Sequence, residues 1–396
     1  MSAVPVRPRP SGAGGGGGGP CRKVRCRGSG GGTSSGPRPL PWLTPAQRGG
    51  KLRAALTVGA RQGRGVVQKF INQPDDLARE LLEGFAQVHA GKVRVTDGLV
   101  VRTEPKPSGK VALVTLGGSG HEPALSGFVG EGMLDISVAG DIFAAPGAAR
   151  VLDALRAVDN PAGTLLVILN HDGDMLSGNM ALEMAAEEHL NVRSVVTCED
   201  VSGGPRSEPA NRRGLVGCIF VYKVAGAAAE QGRSLEEVAA IAQRMADNSA
   251  TLAVAASGAT HPQSGQALGS VPTGEMIIGM GQHGEAGGGQ QALASADQTA
   301  ALMIDVLLAD LEAKPGDRLA LVINGTGATT LMEQYIVWRA AAAVCAERGI
   351  EVVRGACGEY LTVQEQAGFQ MFVARLDDEL IELWDAPANT PNWTVR

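Results

Sequence analysis

The stretch "KVALVTLGGSGHEP", residues 110–123, joins an apolar run to a glycine-rich turn that ends in a histidine and a glutamate. The run 111–116 is typical of a buried strand, because the strands of a parallel sheet are covered on both faces. Gly117, Gly118 and Gly120 allow a ligand to approach the backbone closely. Ligands of such sheets bind beyond the carboxyl ends of the strands. The turn therefore predicts either a phosphate cradle or a pocket for a ketone, and taken alone it leaves both open.

Apolar runs and helical patterns alternate along the rest of the chain. Strands are predicted at "DISVAG" (135–140), "TLLVILN" (164–170), "VRSVVTC" (192–198) and "GCIFVYK" (217–223). A second region opens with "TLAVAAS" (251–257), and "QMFVARLDDELIELWDAP" (370–387) predicts two strands around an Asp-Asp turn. We predict an α/β fold with two domains: a mainly parallel sheet flanked by helices in the first, and a smaller α/β second domain.

Composition limits the class of protein. With 396 residues, 44% hydrophobic and 19% charged, the chain is typical of a globular protein. Residues 1–65 carry 12 Lys or Arg, no Asp or Glu and no hydrophobic period, so we predict a disordered leader rich in Gly, Pro and Arg. The remainder holds 23 basic and 41 acidic side chains, a surplus that disfavours binding to nucleic acid. Six scattered cysteines without a CxxC pair predict free thiols in a reducing cytoplasm.

Two further loops place polar side chains at predicted strand ends. In "LNHDGDML", residues 169–176, His171 and Asp174 lie on either side of a glycine. Asp174 is interpreted either as the N-cap of the next helix or as a general base. Two aspartates in one loop give little support for Mg²⁺, and we predict no metal site. In "GMGQHGEAGGG", residues 279–289, His283 lies between glycines, where a side chain is presented rather than packed.

Five motifs occur in a fixed order along the chain. They are "GGSGHEP", "FVGEGMLDISVAGDIFAAP", "NRRGL", "GQHGE" and "LWDAP". In this order they resemble the substrate-binding subunit of dihydroxyacetone kinases, from about residue 69 to the C-terminal "LWDAPANTP". The resemblance implies a ketose-binding subunit that binds no cofactor itself. ATP with Mg²⁺, or ADP, is expected on a separate, helical nucleotide-binding subunit.

The resemblance also implies a role for each of the three loops and favours the ketone pocket. His283, in "GQHGE", matches the nucleophile that attacks the carbonyl carbon of the ketose and forms a hemiaminal. Glycerol lacks the carbonyl and therefore cannot form a hemiaminal. His121 matches the acid/base histidine, and Asp174 matches the carboxylate that orients the terminal hydroxyl for attack on phosphorus. Backbone groups of three residues are expected to line the pocket: Gly118, Ser119 and Gly120.

The sequence departs from the family pattern around this pocket. The strand before the aspartate usually ends in Lys-Asn-Tyr-Thr-Gly-Asp, whereas this chain has "LNHDGD", with Leu169 in place of the lysine. That change removes a charge and a hydrogen-bond donor beside the ligand. We hypothesise that the substrate differs from dihydroxyacetone and is a four-carbon ketose such as erythrulose, or another small keto-polyol. The alternative is a ketone-sensing co-activator without kinase activity, and the presence of Asp174 favours the enzyme.

The same resemblance implies the domain division and the partners. Residues 66–248 together with 353–396 are expected to form the first domain, and 249–352 the second, which carries the covalent histidine. We expect a cytoplasmic homodimer that works with the helical nucleotide-binding subunit. The phosphoryl group comes from ATP, or from a phosphoprotein of the sugar phosphotransferase system acting through bound ADP. Neither nucleic acid nor a membrane is expected among the partners.

Overall fold

The computed structural model describes residues 68–396 except Ala286. The predicted disordered leader, residues 1–65, lies outside the described residues. Within the described part, two six-stranded sheets form one after the other along the chain. No helix among these residues is long and apolar enough to cross a membrane.

The first sheet has the strand order β1-β2-β4-β3-β5-β6. Its strands are β1 (Val93–Thr96), β2 (Leu99–Arg102), β3 (Ala112–Ser119), β4 (Ile136–Ile142), β5 (Thr164–Leu169) and β6 (Val192–Thr197). The four strands β4, β3, β5 and β6 are parallel, and β1 and β2 add an antiparallel hairpin at the edge. All six residues of β5 are buried, as expected for a central strand covered on both faces.

The second sheet has the order β11-β10-β7-β14-β12-β13 and is mostly antiparallel, with β12 and β13 as its parallel pair. Its strands are β7 (Ser249–Ala255), β10 (Glu275–Ile278), β11 (Gly289–Ala292), β12 (Arg318–Gly325), β13 (Glu351–Gly358) and β14 (Gly368–Arg375). Two short hairpins complete the strands: β8 (Ala259–Thr260) with β9 (Ala267–Leu268), and β15 (Ala388–Asn389) with β16 (Thr394–Val395).

Helices cover both sheets and fill the space between them. They are α1 (Leu77–Val88), α2 (Ala148–Ala157), α3 (Asp172–Glu187), α4 (Gly217–Glu230), α5 (Leu235–Asp247), α6 (Ala296–Asp310), α7 (Leu331–Glu347) and α8 (Asp378–Asp385). Apolar residues of α2 and α3 pack on one face of the first sheet, and those of α6 and α7 pack on the outer face of the second. One continuous core joins the remaining faces of both sheets to α4, α5 and α8. The predicted α/β fold class is therefore confirmed.

Helix α4 is the central element of this arrangement, because every residue from 217 to 229 is buried. Toward the first sheet, the Tyr222 hydroxyl lies 2.9 Å from Thr115 Oγ1 on β3. Toward the second sheet, the Phe220 ring stacks on Phe372 of β14, with ring centroids 4.5 Å apart. The Lys223 ammonium donates to the Leu383 carbonyl of α8 at 2.6 Å. A helix that is buried between two sheets needs apolar residues on every face.

Two predicted strands are helices in the structure. The run "GCIFVYK" forms the start of α4, because a helix buried on all sides has no polar face and its sequence reads like that of a buried strand. The segment after the Asp-Asp pair forms α8 rather than a strand. Its N-cap is Asp377, whose carboxylate accepts from the Leu380 amide at 2.8 Å, and Leu380, Leu383 and Trp384 form its buried face.

The C-terminal strands also differ from the prediction. We expected the chain from about residue 353 onward to rejoin the first domain, but β13 and β14 pair within the second sheet. Strand β14 fits there because it lies antiparallel between β7 and β12 and bonds to both along its length. The segment after β14 contacts earlier parts of the chain: α8 packs on α4, and Asn389 bridges Glu131. The division into domains at residues 248 and 352 stays a prediction.

The position of α4 yields a test with a matched control. A Cβ added at Gly226 of α4 would lie 2.5 Å from the Gly132 carbonyl oxygen and from Met133 Cα, so Gly226→Ala forces backbone apart. We expect it to lower the free energy of unfolding by about 3 kcal/mol. Gly84 of α1 has open space around it, and Gly84→Ala is expected to raise the same quantity by about 0.5–1 kcal/mol. Urea denaturation measures both, and equal effects would contradict the central packing of α4.

Candidate active site

A cavity of about 420 Å³ opens beyond the carboxyl ends of β3 and β5. The loop after β10 closes its other side. His121, Asp174 and His283, the three predicted catalytic residues, all line it. Other lining residues come from the same loops and from the segment before α4, among them Gly118, Phe143, Leu169, His171, Arg213, Gln282 and Glu285. The three loops that the sequence singled out therefore meet at one place.

His121 is held in a single orientation by the C-terminal part of the chain. Its Nδ1 lies 2.8 Å from the Thr362 carbonyl oxygen, and the Thr362 amide donates back to the His121 carbonyl at 3.0 Å. A carbonyl only accepts hydrogen bonds, so Nδ1 carries the hydrogen and Nε2 carries the lone pair. Burial, and then the charge of His283, lower the pKa of His121 to about 3. His121 is therefore a neutral imidazole with an acceptor nitrogen facing the cavity.

That acceptor nitrogen faces the predicted nucleophile. His121 Nε2 and His283 Nε2 are 3.1 Å apart, and one hydrogen must lie between them because His121 Nε2 is unprotonated. On its other side, His283 Nδ1 lies 3.5 Å from Glu285 Oε1. Glu285 Oε2 also accepts from the His283 amide at 2.8 Å. Burial opposes the charge of Glu285, but these contacts with His283 prevail and bring its pKa down to about 2. The His283 ring thus spans a carboxylate and a neutral imidazole.

Asp174 lies in the first turn of α3, with His171 as the N-cap of that helix, so it is not the N-cap itself. It is 8% exposed and faces the cavity. Burial raises the pKa of Asp174 to about 7, against an opposing effect of His283. A carboxylate with that pKa takes up and releases protons near neutrality, which suits a general base.

His171 is also part of the site, although the sequence analysis assigned it no role. Its Nε2 lies 2.8 Å from the Gly214 carbonyl oxygen and must carry a hydrogen, which leaves the lone pair on Nδ1. The side-chain nitrogen of Gln282 lies 2.9 Å from the same Nε2, and because two donors do not bond, the amide must be turned so that Oε1 accepts there. The ring centroids of His171 and His283 are 5.3 Å apart. Burial, and then the charge of His283, lower the pKa of His171 to about 4.

Arg213 fixes the loop that carries His283. Its guanidinium donates to Asp200 Oδ2 at 2.7 Å and to the Gly279 carbonyl at 2.7 Å, and Nη1 lies 3.9 Å from Glu285 Oε2. A Cβ at Gly281 would overlap both the guanidinium and the Glu285 carboxylate, so a side chain here would displace this pair from the loop. The segment before α4 therefore determines where the loop stands.

The predicted substrate-binding turn is only partly at the cavity. Gly118 lines it, and a Cβ there would lie 2.7 Å from the Ala144 amide nitrogen, so glycine allows the two backbones to meet. Ser119 Oγ instead donates to the Gly140 carbonyl at 2.8 Å. The Gly120 amide donates to the Glu122 carboxylate at 2.9 Å, and neither Ser119 nor Gly120 lines the cavity. Their groups bind protein because β3 ends in a tight turn that must satisfy its own backbone.

Three residues of the site were missed as functional groups: His171, Arg213 and Glu285. A signal existed for Glu285, which lies two residues after His283 in a loop otherwise rich in glycine. Arg213 lies in the quoted motif "NRRGL", but Gly279 and Glu285, which its guanidinium contacts in the loop of His283, are distant in sequence. We predicted no metal site, but His171, His283 and Glu285 offer potential ligand atoms that all lie within 4.8 Å of one another.

Comparison with known proteins identifies the family of the chain. The Dak1 domain family matches residues 83–392. The chain is 38% identical over 326 residues to the L-erythrulose kinase of Pectobacterium atrosepticum, covering 81% of this chain and 55% of that protein. It is 33% identical over 330 residues to the dihydroxyacetone-binding subunit of PTS-dependent dihydroxyacetone kinase 1 of Listeria innocua, covering 83% and 100%. The chain thus spans about half of the first relative and the whole length of the second.

Solved structures show the same similarity. The native form of the dihydroxyacetone kinase of C. freundii matches with a TM-score of 0.75 at 32% identity, over 83% of this chain and 60% of that chain. The dihydroxyacetone kinase operon co-activator Dha-DhaQ matches with a TM-score of 0.75 at 26% identity, over 80% and 98%. The resemblance predicted from the five motifs is confirmed. The chain belongs to the Dak1 domain family, that of the substrate-binding subunits of dihydroxyacetone kinases.

Proposed function

We propose that this chain is the ketose-binding subunit of a kinase of the dihydroxyacetone kinase type. His283 traps a short-chain ketose as a hemiaminal, and the terminal hydroxyl is then phosphorylated from a nucleotide on a separate helical subunit. The observation that carries the proposal is the 3.1 Å contact between His121 Nε2 and His283 Nε2 on a cavity shared with Asp174. A nucleophile, its proton acceptor and a carboxylate base are the groups that this chemistry needs.

The contacts of His283 account for the proton in the trapping step. The hydrogen between the two Nε2 atoms moves to His121, which frees the His283 Nε2 lone pair. That lone pair forms the bond to the carbonyl carbon, the C=O π pair moves to oxygen, and the oxygen takes the proton from His121. His121 is neutral again at the end. This balance requires a second hydrogen on His283 Nδ1, which faces the Glu285 carboxylate at 3.5 Å, so His283 is a cation before the proton moves. The alkylated ring is then again a cation, and Glu285 neutralises its charge. Glu285 is therefore proposed as the residue that positions and stabilises the ring.

Asp174 serves the second step. In its ionised form it accepts the proton of the terminal hydroxyl as the oxygen attacks phosphorus. Its burial beside the cavity keeps water away from the attacking oxygen and holds the pKa of the carboxylate near 7. ATP with Mg²⁺, or ADP with a phosphoprotein relay, supplies the phosphoryl group from the partner, and this chain binds and presents the acceptor.

The substrate is proposed to be a four-carbon ketose. Erythrulose carries one hydroxymethylene group more than dihydroxyacetone, and the cavity rim offers polar groups for it at His171 and Arg213. Leu169 lines the same cavity where the family pattern has lysine. The similarity to relatives named erythrulose kinases supports this choice. We further propose a cytoplasmic homodimer, for which α7 offers exposed apolar side chains: Leu331, Met332, Tyr335 and Ile336.

A second candidate is favoured by one observation, the structural match to an operon co-activator. A ketone sensor needs the trap of His121, His283 and Glu285 but no phosphoryl transfer. Asp174 separates the two functions, because only the kinase has use for a base at the terminal hydroxyl. Phosphorylation of a ketose in the presence of a helical nucleotide-binding subunit would decide for the enzyme, and a trap without any turnover would decide for the sensor.

The covalent trap can be observed directly. Adding a ketose labelled with ¹³C at the carbonyl carbon is expected to give a new NMR signal in the tetrahedral region, because the carbon becomes a hemiaminal. His283→Ala should abolish this signal. His261→Ala, which changes a histidine whose ring lies 5.4 Å from that of Phe143 beside the cavity, is the matched control and should keep it. A tetrahedral signal that survives in His283→Ala would refute the nucleophile.

Substrate preference gives a second test. Measured with a helical nucleotide-binding subunit and ATP, kcat/KM for L- or D-erythrulose is expected to exceed that for dihydroxyacetone by about 10-fold or more, the value of one added hydrogen bond to a charged group. Glycerol should not react because it has no carbonyl. A strong preference for dihydroxyacetone over every four-carbon ketose would show that the altered rim does not shift the substrate.

Asp174 predicts opposite effects on stability and on activity. Its raised pKa means that the folded state favours the protonated acid, so its contribution to stability is present below about pH 4 and is lost as the pH rises through about 7. Asp174→Asn should therefore raise Tm relative to the wild type more at pH 8 than at pH 5, while kcat falls about 10²- to 10⁴-fold. Asp172→Asn, an exposed neighbour, is the control. A Tm difference that does not change with pH would contradict the burial of Asp174.

A further inference from the structure

We propose that the chain carries a site for one first-row divalent metal ion, such as Zn²⁺, formed by His171, His283 and Glu285, and that metal and ketose exclude each other. The potential ligand atoms of these residues all lie within 4.8 Å of one another. Ligands of a tetrahedral zinc site, at about 2.1 Å from the ion, stand about 3.4 Å apart. Small rotations of the side chains would bring the three groups together. The exclusion of ketose rests on the proposed function, whereas the metal binding does not.

His171 is already held as metal-binding histidines are held. Its Nε2–H donates to the Gly214 carbonyl at 2.8 Å, so the lone pair is on Nδ1. Histidine ligands regularly donate their other ring N–H to a backbone carbonyl, which fixes the tautomer and the direction of the ring. The side chain of Gln282 ends 2.9 Å from the same Nε2, and only its Oε1, which is buried and has no partner, can accept from this N–H when the amide is turned.

Glu285 keeps one carboxylate oxygen for a ligand. Its Oε2 accepts from the His283 amide at 2.8 Å and lies 3.9 Å from Arg213 Nη1. Oε1 faces His283 Nδ1 at 3.5 Å, a contact that a metal ion between the two groups would replace. The guanidinium holds the carboxylate from behind, as outer partners of ligating carboxylates do.

The donor set indicates which metal. Two imidazoles and one carboxylate suit Zn²⁺ and its neighbours Co²⁺ and Ni²⁺, whereas Mg²⁺ and Ca²⁺ prefer oxygen ligands. All three residues line the open cavity, so a fourth position remains for water. His121 Nε2, 3.1 Å from His283 Nε2, is a further nitrogen at the edge of this position.

Metal binding stops the trapping step for a simple reason. A neutral imidazole has one nitrogen lone pair in the ring plane, and His283 must use it either for the metal or for the carbonyl carbon. Coordination through Nδ1 leaves the hydrogen on Nε2, and coordination through Nε2 uses the attacking atom itself. The N–H bond that the metal replaces is the one bond that breaks, with release of a proton, and displacing the metal by a chelator restores the nucleophile.

Calorimetry of the full chain with zinc chloride, without nucleotide, tests the site. We expect one zinc ion at the cavity, bound at least 10-fold more weakly by His171→Phe and by Glu285→Gln. His261→Phe, near the cavity but outside the ligand set, should change the affinity less than 2-fold. Cobalt in place of zinc should give the visible spectrum of a tetrahedral ion without a thiolate-to-metal band, which separates this site from cysteines. Equal affinities for wild type and both ligand variants, or no binding at 100 µM zinc, would overturn the proposal.

The exclusion has its own measurement. The tetrahedral ¹³C signal of the trapped ketose should disappear as zinc saturates the wild type and return when a chelator is added. His171→Phe is first measured without zinc to establish its own signal, and the same zinc concentration should then lower that signal by a much smaller fraction than in the wild type. A signal that persists with zinc bound would overturn the exclusion. A wild type that shows no tetrahedral signal even without zinc would refute the trap instead, while calorimetry would still decide the metal site.

Discussion

The structure depends on a helix that is buried on every side. Helix α4 binds the first sheet through Tyr222 and the second through Phe220, so neither sheet has an exposed inner face. Its start is fixed as firmly as its middle: the Glu199 carboxylate accepts from the amides of Leu215 and Gly217 at 2.8 Å. Glu199 is itself buried, and burial raises its pKa to about 7. The segment that enters α4 therefore has little freedom.

That entry segment connects the fold to the site. Arg212 forms a two-pronged ion pair with Asp310 at the end of α6, and Arg213 next to it holds the Gly279 carbonyl and faces Glu285. One pair of adjacent arginines thus connects the central helix, the outer helix layer and the loop of His283. A side chain on a glycine-rich loop is normally mobile, and here the loop of His283 is connected to the segment that enters the fully buried helix α4.

The parts that the sequence predicted are those with a local signal. The apolar runs 111–116 and 164–170 predict β3 and β5, because a strand that is covered on both faces has a continuous apolar sequence. Helix α4 has no polar face and so no hydrophobic period, which is why it was predicted as a strand.

The same distinction between local and distant signals applies to the residues of the site. His121, Asp174 and His283 stand out because each comes after a strand in a loop rich in glycine. The sequence does not reveal the hydrogen-bond partners of the histidines. Thr362 lies 241 residues from His121, and Gly214 lies 43 residues from His171. These partners set which nitrogen carries the hydrogen, and the tautomer decides whether a histidine attacks, accepts or ligates.

The arrangement also explains how a family can change its substrate without changing its reaction. In the proposed trap, bond formation to a carbonyl carbon selects ketones from alcohols. It involves His283 together with His121 on one side and Glu285 on the other. In the same proposal, the rest of the ketose meets Leu169 and His171, which line the cavity at the end of β5 and the start of α3. Substitutions there alter the fit of the fourth carbon and leave the proton between the two histidines in place. Such a separation confines a substrate change to the rim. The same rim brings His171 within reach of the nucleophile, so that one substitution could change both the ketose and the ions that the site accepts.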